Sequence, residues 1–279
     1  MKPLLKIKNI FIGGMVILAI GLSYALFTDE YSQAKFRTMQ DNISSHEKVD
    51  LSGLRELHAS GGPIVNFPEL KKKLHHVTQK IIVADAIRQY HGYMDFALFK
   101  EVPTTFFAYE RGDPDIRHLL RRLIFTGTTQ IRSERVSPEK KLAEKYGFDY
   151  KNIKVDSRVL TPDASVDAFV AYFDTLPENV WVHFHCRLGK GRTSIMLVML
   201  DIMKNAPNVA LEDIVKRQHL LGSENLFNTV ARHGGSYFSS TLKRRKKFIE
   251  DFYAFICQRK ADGIQEWSQW RQTQQKEPL

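Results

Sequence analysis

The residues best equipped for chemistry lie in one stretch, His185-Cys186-Arg187-Leu188-Gly189-Lys190-Gly191-Arg192-Thr193-Ser194. A free thiol titrates at about 8.5 and is a modest nucleophile at neutral pH, but a helix N-terminus and a nearby guanidinium favour its thiolate. Arg192, six residues after Cys186, is a planar fork that grips two phosphate oxygens at once, which lysine cannot copy. Cys-x5-Arg therefore sets a nucleophile and an oxyanion clamp on one loop. That is what transfer of a phosphate monoester through a cysteinyl-phosphate requires. Thr193 and Ser194 sit where a hydroxyl could stabilise the departing thiolate. Gly189 and Gly191 let the backbone curl without a Cβ clash.

Such a loop works only if a strand and a helix hold its ends. The apolar run Val180-Trp181-Val182-His183-Phe184 reads as a buried strand leading in, and Ile195-Met196-Leu197-Val198-Met199-Leu200 as the first turns of a buried helix leading out. Strand, glycine-containing turn and helix together aim backbone N–H groups at an anion. Elsewhere, residues 80–85 read as a strand ending on Asp85, residues 68–74 as a short helix, and residues 152–155 as a strand followed by Asp156. Ser137-Pro138 is expected to open a helix that Gly147 closes. Pro162 opens another, with Val166, Phe169, Val170 and Phe173 on one stripe. Residues 114–125 have helical spacing, with Arg117, Arg121 and Arg122 exposed. Further helices are expected over 211–221, ended by Gly222, and over 240–259, with Leu242, Ile249, Phe252 and Ile256 inward. The Gly- and Ser-rich stretch 52–66 reads as loop. Alternation of this kind implies an α/β fold with a largely parallel central sheet flanked by helices, the Cys-x5-Arg loop at its carboxyl edge.

The 279 residues, 43% hydrophobic, can bury a large core in a single domain. Net charge is +10, and Lys2, Lys6 and Lys8 account for three of those charges with no acid among the first 25 residues. The remaining excess suits a polyanionic partner. No nucleic-acid-binding signature accompanies it, so nucleic acid ranks last. Two cysteines, Cys186 and Cys257, make no disulfide framework. Residues 1–27, three lysines and then an uncharged apolar run from 10 to 27, read as a signal peptide or an N-terminal membrane anchor. Ser23-Tyr24-Ala25 offers a cleavage site, so a cleaved signal and an exported catalytic part are expected. Residues 28–35 read as linker and 36–279 as the catalytic domain.

The central loop resembles the signature of the cysteine-dependent phosphatases, the protein-tyrosine-phosphatase (PTP) superfamily. Val182-His183-Phe184-His185-Cys186, Gly189 to Thr193, Asp201-Ile202-Met203-Lys204-Asn205, Arg217-Gln218-His219, Ala261-Asp262-Gly263 and the Trp267/Trp270 tail resemble the bacterial PTP-like phytases, from about residue 36 to 270. The resemblance implies the PTP-like phosphatase fold and hydrolysis of inositol polyphosphates; no metal or cofactor is expected, because nucleophile, acid and clamp are all side chains and no dinucleotide motif appears. In that superfamily a loop before the nucleophile strand carries an Asp that protonates the leaving oxygen, and Asp156 matches it by its spacing to Thr161-Pro162. Asp163 is the rival, but in a first helical turn a carboxylate is routinely a dipole partner. The catalytic set is then Cys186, Arg192, Asp156 and Thr193. Substrate contacts fall to Arg187, Leu188, Gly189, Lys190 and Gly191. By resemblance they also fall to Arg37, Asp85, His91 and Lys243, the last in the basic run 243–247. Gln218 matches a position that could orient the hydrolytic water. The family's Leu-Arg pair after the strand-end Asp is replaced by Ala86-Ile87, with Arg88 one place later. Arg187 and Lys190 make the loop basic enough to resemble phosphoinositide phosphatases too, so a phosphoinositide or dual-specificity protein phosphatase is the alternative activity, with anionic lipid headgroups the alternative partner. A catalytically dead phosphate-binding module is the alternative of another class, and retention of Cys186, Arg192 and Asp156 together argues against it.

Overall fold

The computed structural model of the chain describes residues 13–15, 17, 36–44, 48–88, 91–96, 99–105, 136–156, 161–231, 237–263 and 266–276. Apart from residues 13–15 and 17, the expected export segment and linker lie outside the described residues, as does the expected helix over 114–125. Among the described residues no helix is long and apolar enough to cross a membrane.

A five-stranded sheet carries the molecule. Its strands are β1 (Arg37–Thr38), β2 (Ala59–Gly62), β3 (Lys80–Asp85), β6 (Asp149–Asn152) and β7 (Val180–His185), in the order β1-β2-β7-β3-β6. β1 runs antiparallel to β2, and every other pairing is parallel. β4 (His91–Phe96) and β5 (Phe99–Thr105) form a separate antiparallel hairpin. The helices are α1 (Phe67–Lys73), α2 (Glu139–Lys145), α3 (Asp163–Asp174), α4 (Gly191–Asn205), α5 (Leu211–Leu220), α6 (Ser239–Asp262) and α7 (Trp267–Lys276).

Side chains alternate along β7, as any strand requires. Val182 and Phe184 enter the larger apolar core, which α3 to α7 complete. Trp181 enters a second core with Phe67, Leu70, Tyr93, Leu142 and Phe148. β7 is thus buried on both faces and reads as a continuous apolar run, as central parallel strands do. Helix α4 buries twelve of its fifteen residues against the sheet and its neighbours, so its N-terminus is rigidly placed. Trp267 and Trp270 stack at 5.3 Å and lock α7 onto Phe255.

Three expectations are corrected. Residues 59–62 form β2 rather than loop, paired with β7 itself. A Cβ at Gly61 would lie 2.8 Å from both Leu197 Cδ1 and Thr193 Cγ2, so α4 needs that space. β6 lies three residues earlier than expected, and only Ile153 N–H, donating to Asp85 O at 2.7 Å, prolongs its pairing. Ser137 is no helix cap. It exchanges both backbone bonds with Tyr93, and α2 begins after Pro138. Gly147, at φ +86°, does close that helix.

Candidate active site

The parallel strands β7, β3 and β6 deliver their carboxyl ends to one edge of the sheet, which brings the loops after His185, Asp85 and Asn152 together. Cys186 follows β7 directly and is 4% exposed, with its thiol free. The chain then turns through residues 187–190 into α4. Gly189 has φ +65°, and a Cβ there would lie 2.5 Å from Gly62 C and Pro63 N, so only glycine fits the turn. Ile64 N–H donates to Arg187 O at 3.3 Å and ties the turn to the segment after β2.

Burial by itself would raise the Cys186 thiol. It is nonetheless held below the ordinary thiol range, by the Arg192 guanidinium first, then by the Thr193 hydroxyl and the N–H groups of Thr193 and Leu188. Thr193 and Arg192 thus both act on the Cys186 thiol. Arg192 Nη1 donates to Ala86 O, which ties the guanidinium to the segment after β3. Arg187 and Leu188 are half-buried, Lys190 is exposed and Gly191 is buried. Ser194 is engaged elsewhere: its Oγ accepts from Arg37 Nη2 at 3.3 Å and from Glu224 N–H at 2.9 Å.

Arg37 is not in a position to reach solvent. It is 1% exposed and lies beneath the turn, donating through Nη1 to Gly189 O at 3.1 Å and through Nε to Ser223 Oγ at 3.0 Å. The C=O and N–H of a trans peptide point opposite ways, so fixing Gly189 O turns the Lys190 N–H to the other face. Burial lowers the Arg37 pKa to about 10, opposed by attraction to Cys186 and Glu224. It remains a cation that supports the loop.

Asp85 and His91 are likewise interior. Asp85 is fully buried and accepts from Ile87 N–H at 2.6 Å, Tyr150 Oη at 2.7 Å and Asn152 Nδ2 at 3.1 Å. His91 Nε2 lies 3.0 Å from Asp85 Oδ2 and 2.9 Å from Glu139 Oε2. His185 Nε2 lies 3.1 Å from Glu139 Oε1. Burial opposes charge on all four groups, yet the two carboxylates shift both imidazoles towards their protonated forms. His91 is raised to about 10 and His185 is raised, while Asp85 falls to about 2 and Glu139 is lowered. Ligand atoms of Asp85, Glu139 and His185 lie within 4.8 Å of one another, close enough for a cation. His91 and His185 both lie against the two carboxylates, so we read the cluster as paired charges. Glu139 went unseen in the sequence: a Glu after Ser-Pro reads as a first-turn dipole partner, and nothing local says that β4 and β7 bring histidines to it.

Asp156, 8% exposed, follows β6. Its N–H donates to Thr161 Oγ1 at 3.1 Å, and its Oδ2 is ion-paired with Arg88 Nη1. The rival Asp163 is engaged elsewhere, accepting from Trp267 Nε1 at 2.7 Å. Gln218 is buried, donating to Asp201 Oδ2 at 2.9 Å beside Arg217. Lys243 is exposed on α6. Two residues on, Arg245 pairs with Glu224 Oε2 at 2.7 Å and so joins α6 to Ser194.

This geometry can be set beside known proteins. The family model for PTP-like phytases, described by inositol hexakisphosphate, matches residues 115–204. The uncharacterized protein AvrBs1.1 of Xanthomonas campestris pv. campestris is 35% identical over 92 residues, which are 32% of this chain and 86% of that protein. The chain belongs to the PTP-like phytase family. Effector protein hopD2 of Pseudomonas syringae pv. tomato is 27% identical over 150 residues, 52% of this chain, and the chain spans 31% of its length. In fold, it is similar to the tandemly repeated PTP-like phytase from Mitsuokella multacida (TM-score 0.67, 24% identity, 85% of this chain and 46% of that one). A second structure of the PTP-like phosphatase from that organism, with the same scores, holds myo-inositol-(1,3,4,5)-tetrakisphosphate. A PTP-like phytase from Bdellovibrio bacteriovorus gives TM-score 0.61 at 24% identity, covering 84% of this chain and 88% of its own. The shared architecture is this α/β sheet with helices on both faces.

Proposed function

We propose that this PTP-like phytase relative hydrolyses phosphate monoesters of inositol polyphosphates, phytate among them, through a cysteinyl-phosphate. The observation that carries the reading is the thiol of Cys186, held below its ordinary pKa at the start of an N–H-lined turn whose far end presents Arg192. The thiolate attacks phosphorus and the bridging P–O bond breaks. Asp156 gives its proton to the departing inositol oxygen, which is a poor leaving group without one. The resulting carboxylate then takes a proton from water as that water attacks phosphorus, and the S–P bond breaks to release phosphate and thiolate. Arg192 and the turn's N–H groups hold the equatorial oxygens throughout, where charge develops. Thr193 stabilises the thiolate at both ends of the cycle. Arg187, Lys190 and Lys243 are exposed enough to hold phosphates other than the one attacked. That a family relative is solved with an inositol tetrakisphosphate supports this substrate class.

Export follows as a second element of the reading, on residues 1–27, and places the catalytic domain (36–279) outside the cytoplasm. Cell fractionation with N-terminal sequencing tests it: activity confined to the cytoplasm on a chain that keeps Met1 would exclude both signal and anchor. The substrate reading is tested by phosphate release from inositol hexakisphosphate, a phosphoinositide and a phosphotyrosine peptide, side by side. Strong preference for the hexakisphosphate at low salt is expected, eroding as salt screens the exposed charges. Equal turnover of all three would overturn it.

A further inference from the structure

The loops that leave β3 and β6 meet in a contact that the reaction above does not use. Arg88 Nη1 is ion-paired with Asp156 Oδ2. The two partners are unequally placed: the Arg88 side chain is 56% exposed and that of Asp156 only 8%. The guanidinium therefore covers the carboxylate on its solvent side. Both backbones are fixed nearby. Ile87 N–H is held by Asp85 at 2.6 Å, Ala86 N–H by His185 O at 3.0 Å, and Asp156 N–H by Thr161 at 3.1 Å. Ala86 O is also the acceptor for Arg192, so Arg88 begins two residues from the guanidinium that clamps the attacked phosphate.

A carboxylate paired with a cation favours its ionised form, which is the wrong form for donating a proton to an alkoxide. With 56% of the Arg88 side chain in contact with solvent, the guanidinium can exchange one anion for another without leaving the surface. A phosphate offers Arg88 more charge and a bidentate set of oxygens, so a phosphate within reach takes the guanidinium from Asp156.

We propose that Arg88 is a substrate-operated latch on Asp156, released when a phosphate neighbouring the attacked one draws the guanidinium away. The freed carboxyl takes up a proton from water and delivers it to the leaving oxygen as the P–O bond breaks. An ester flanked by a second phosphate then meets a working acid, whereas an isolated alkyl phosphate meets a latched one. Arg88 thereby sets specificity through the acid as well as through binding. This deepens the reading of Asp156 as the acid, and rests on it.

The test is a double-mutant cycle of Arg88→Gln and Asp156→Asn in the full chain. Its substrates are inositol hexakisphosphate, inositol 1-phosphate and p-nitrophenyl phosphate. Arg88→Gln is expected to raise the ratio of kcat on inositol 1-phosphate to kcat on the aryl ester by about tenfold, within the contribution of a general acid. That gain should vanish in the double variant, while KM for the hexakisphosphate rises. Arg88→Lys, a cation without the fork, should fall between. A ratio that falls or stays put in Arg88→Gln, while Asp156→Asn still slows alkyl esters more than the aryl ester, overturns the latch alone. If Asp156→Asn slows all three substrates alike, the acid assignment fails, and the latch fails with it.

Discussion

At the scale of single residues, the site is built from ions held in unusual states by named neighbours. Cys186 is kept towards thiolate by Arg192 and by N–H and hydroxyl donors, and Arg37 adds a buried positive charge below the turn. Arg37→Met should therefore do two separable things. It leaves Gly189 O and two hydroxyls short of a donor, for a loss of about 3 kcal/mol in denaturant midpoint measurements, since each buried group left unsatisfied costs ~1–3 kcal/mol. It should also raise the Cys186 thiol pKa, read from the pH dependence of iodoacetamide alkylation. Unchanged alkylation in a folded variant would remove Arg37 from the thiol's electrostatics. The charge cluster behind the loop has its own signature. His91, raised from 6.5 to about 10, contributes stability that is full below pH 6.5 and is lost as pH rises towards 10. Asp85, lowered from 3.8 to about 2, contributes stability that is present above pH 3.8 and is lost as pH falls towards 2. Stability from this pair should thus be flat between pH 3.8 and 6.5. His91→Gln leaves two buried carboxylates one cation short, at a cost of about 3–5 kcal/mol. Urea midpoints should show that deficit at pH 6 and a clearly smaller one at pH 10.

At the scale of elements, glycines decide how closely the turn, β2 and α4 approach. Gly189→Ala adds a left-handed strain of about 1–2 kcal/mol and a Cβ 2.5 Å from backbone atoms of Gly62 and Pro63, so phosphatase activity should fall sharply. Gly147→Ala carries the same kind of strain, at φ +86°, but meets nothing within 4 Å. It should lower the melting temperature slightly and leave kcat alone. Equal losses of activity in both would mean that strain, not approach, governs the loop. The elements also show what local pattern reveals. β7, α4, α3 and α6 were legible because each has a period and a boundary residue of its own. β2 was not: Ala59-Ser60-Gly61-Gly62 has no β propensity, and it is a strand only because β7 and β1 pair with it and α4 closes over it. The same holds in the site. Cys186, Arg192 and Thr193 sit on one loop and could be read together. The partners of Arg37, Asp85 and His91 are set by contacts across the sheet, which the local sequence around each residue does not show. Glu139 and the Arg88–Asp156 pair depend on strand order, which no single segment encodes.

At the scale of the whole molecule, the catalytic edge is stable because both faces of the sheet are covered, and the last helix seals one of them. Trp267 packs on Phe248, Phe252 and Phe255 and bonds Asp163 at the first turn of α3, so the C-terminus holds the helix that follows the Asp156 loop. Trp267→Ala should cost about 3–5 kcal/mol as a large core truncation and weaken alkyl-ester turnover more than thiol reactivity. Calorimetry and alkylation check this, and equal loss of both would mean that α7 acts only on global stability. The central claim is that one thiol does the covalent work on a many-phosphate substrate. Phosphate release from inositol hexakisphosphate by purified Cys186→Ser, with binding of the same compound measured by titration calorimetry, tests it most directly. The account predicts turnover reduced roughly 10⁴-fold or more, the scale on which covalent nucleophiles matter, with binding retained. Turnover near that of the unmodified chain would contradict it.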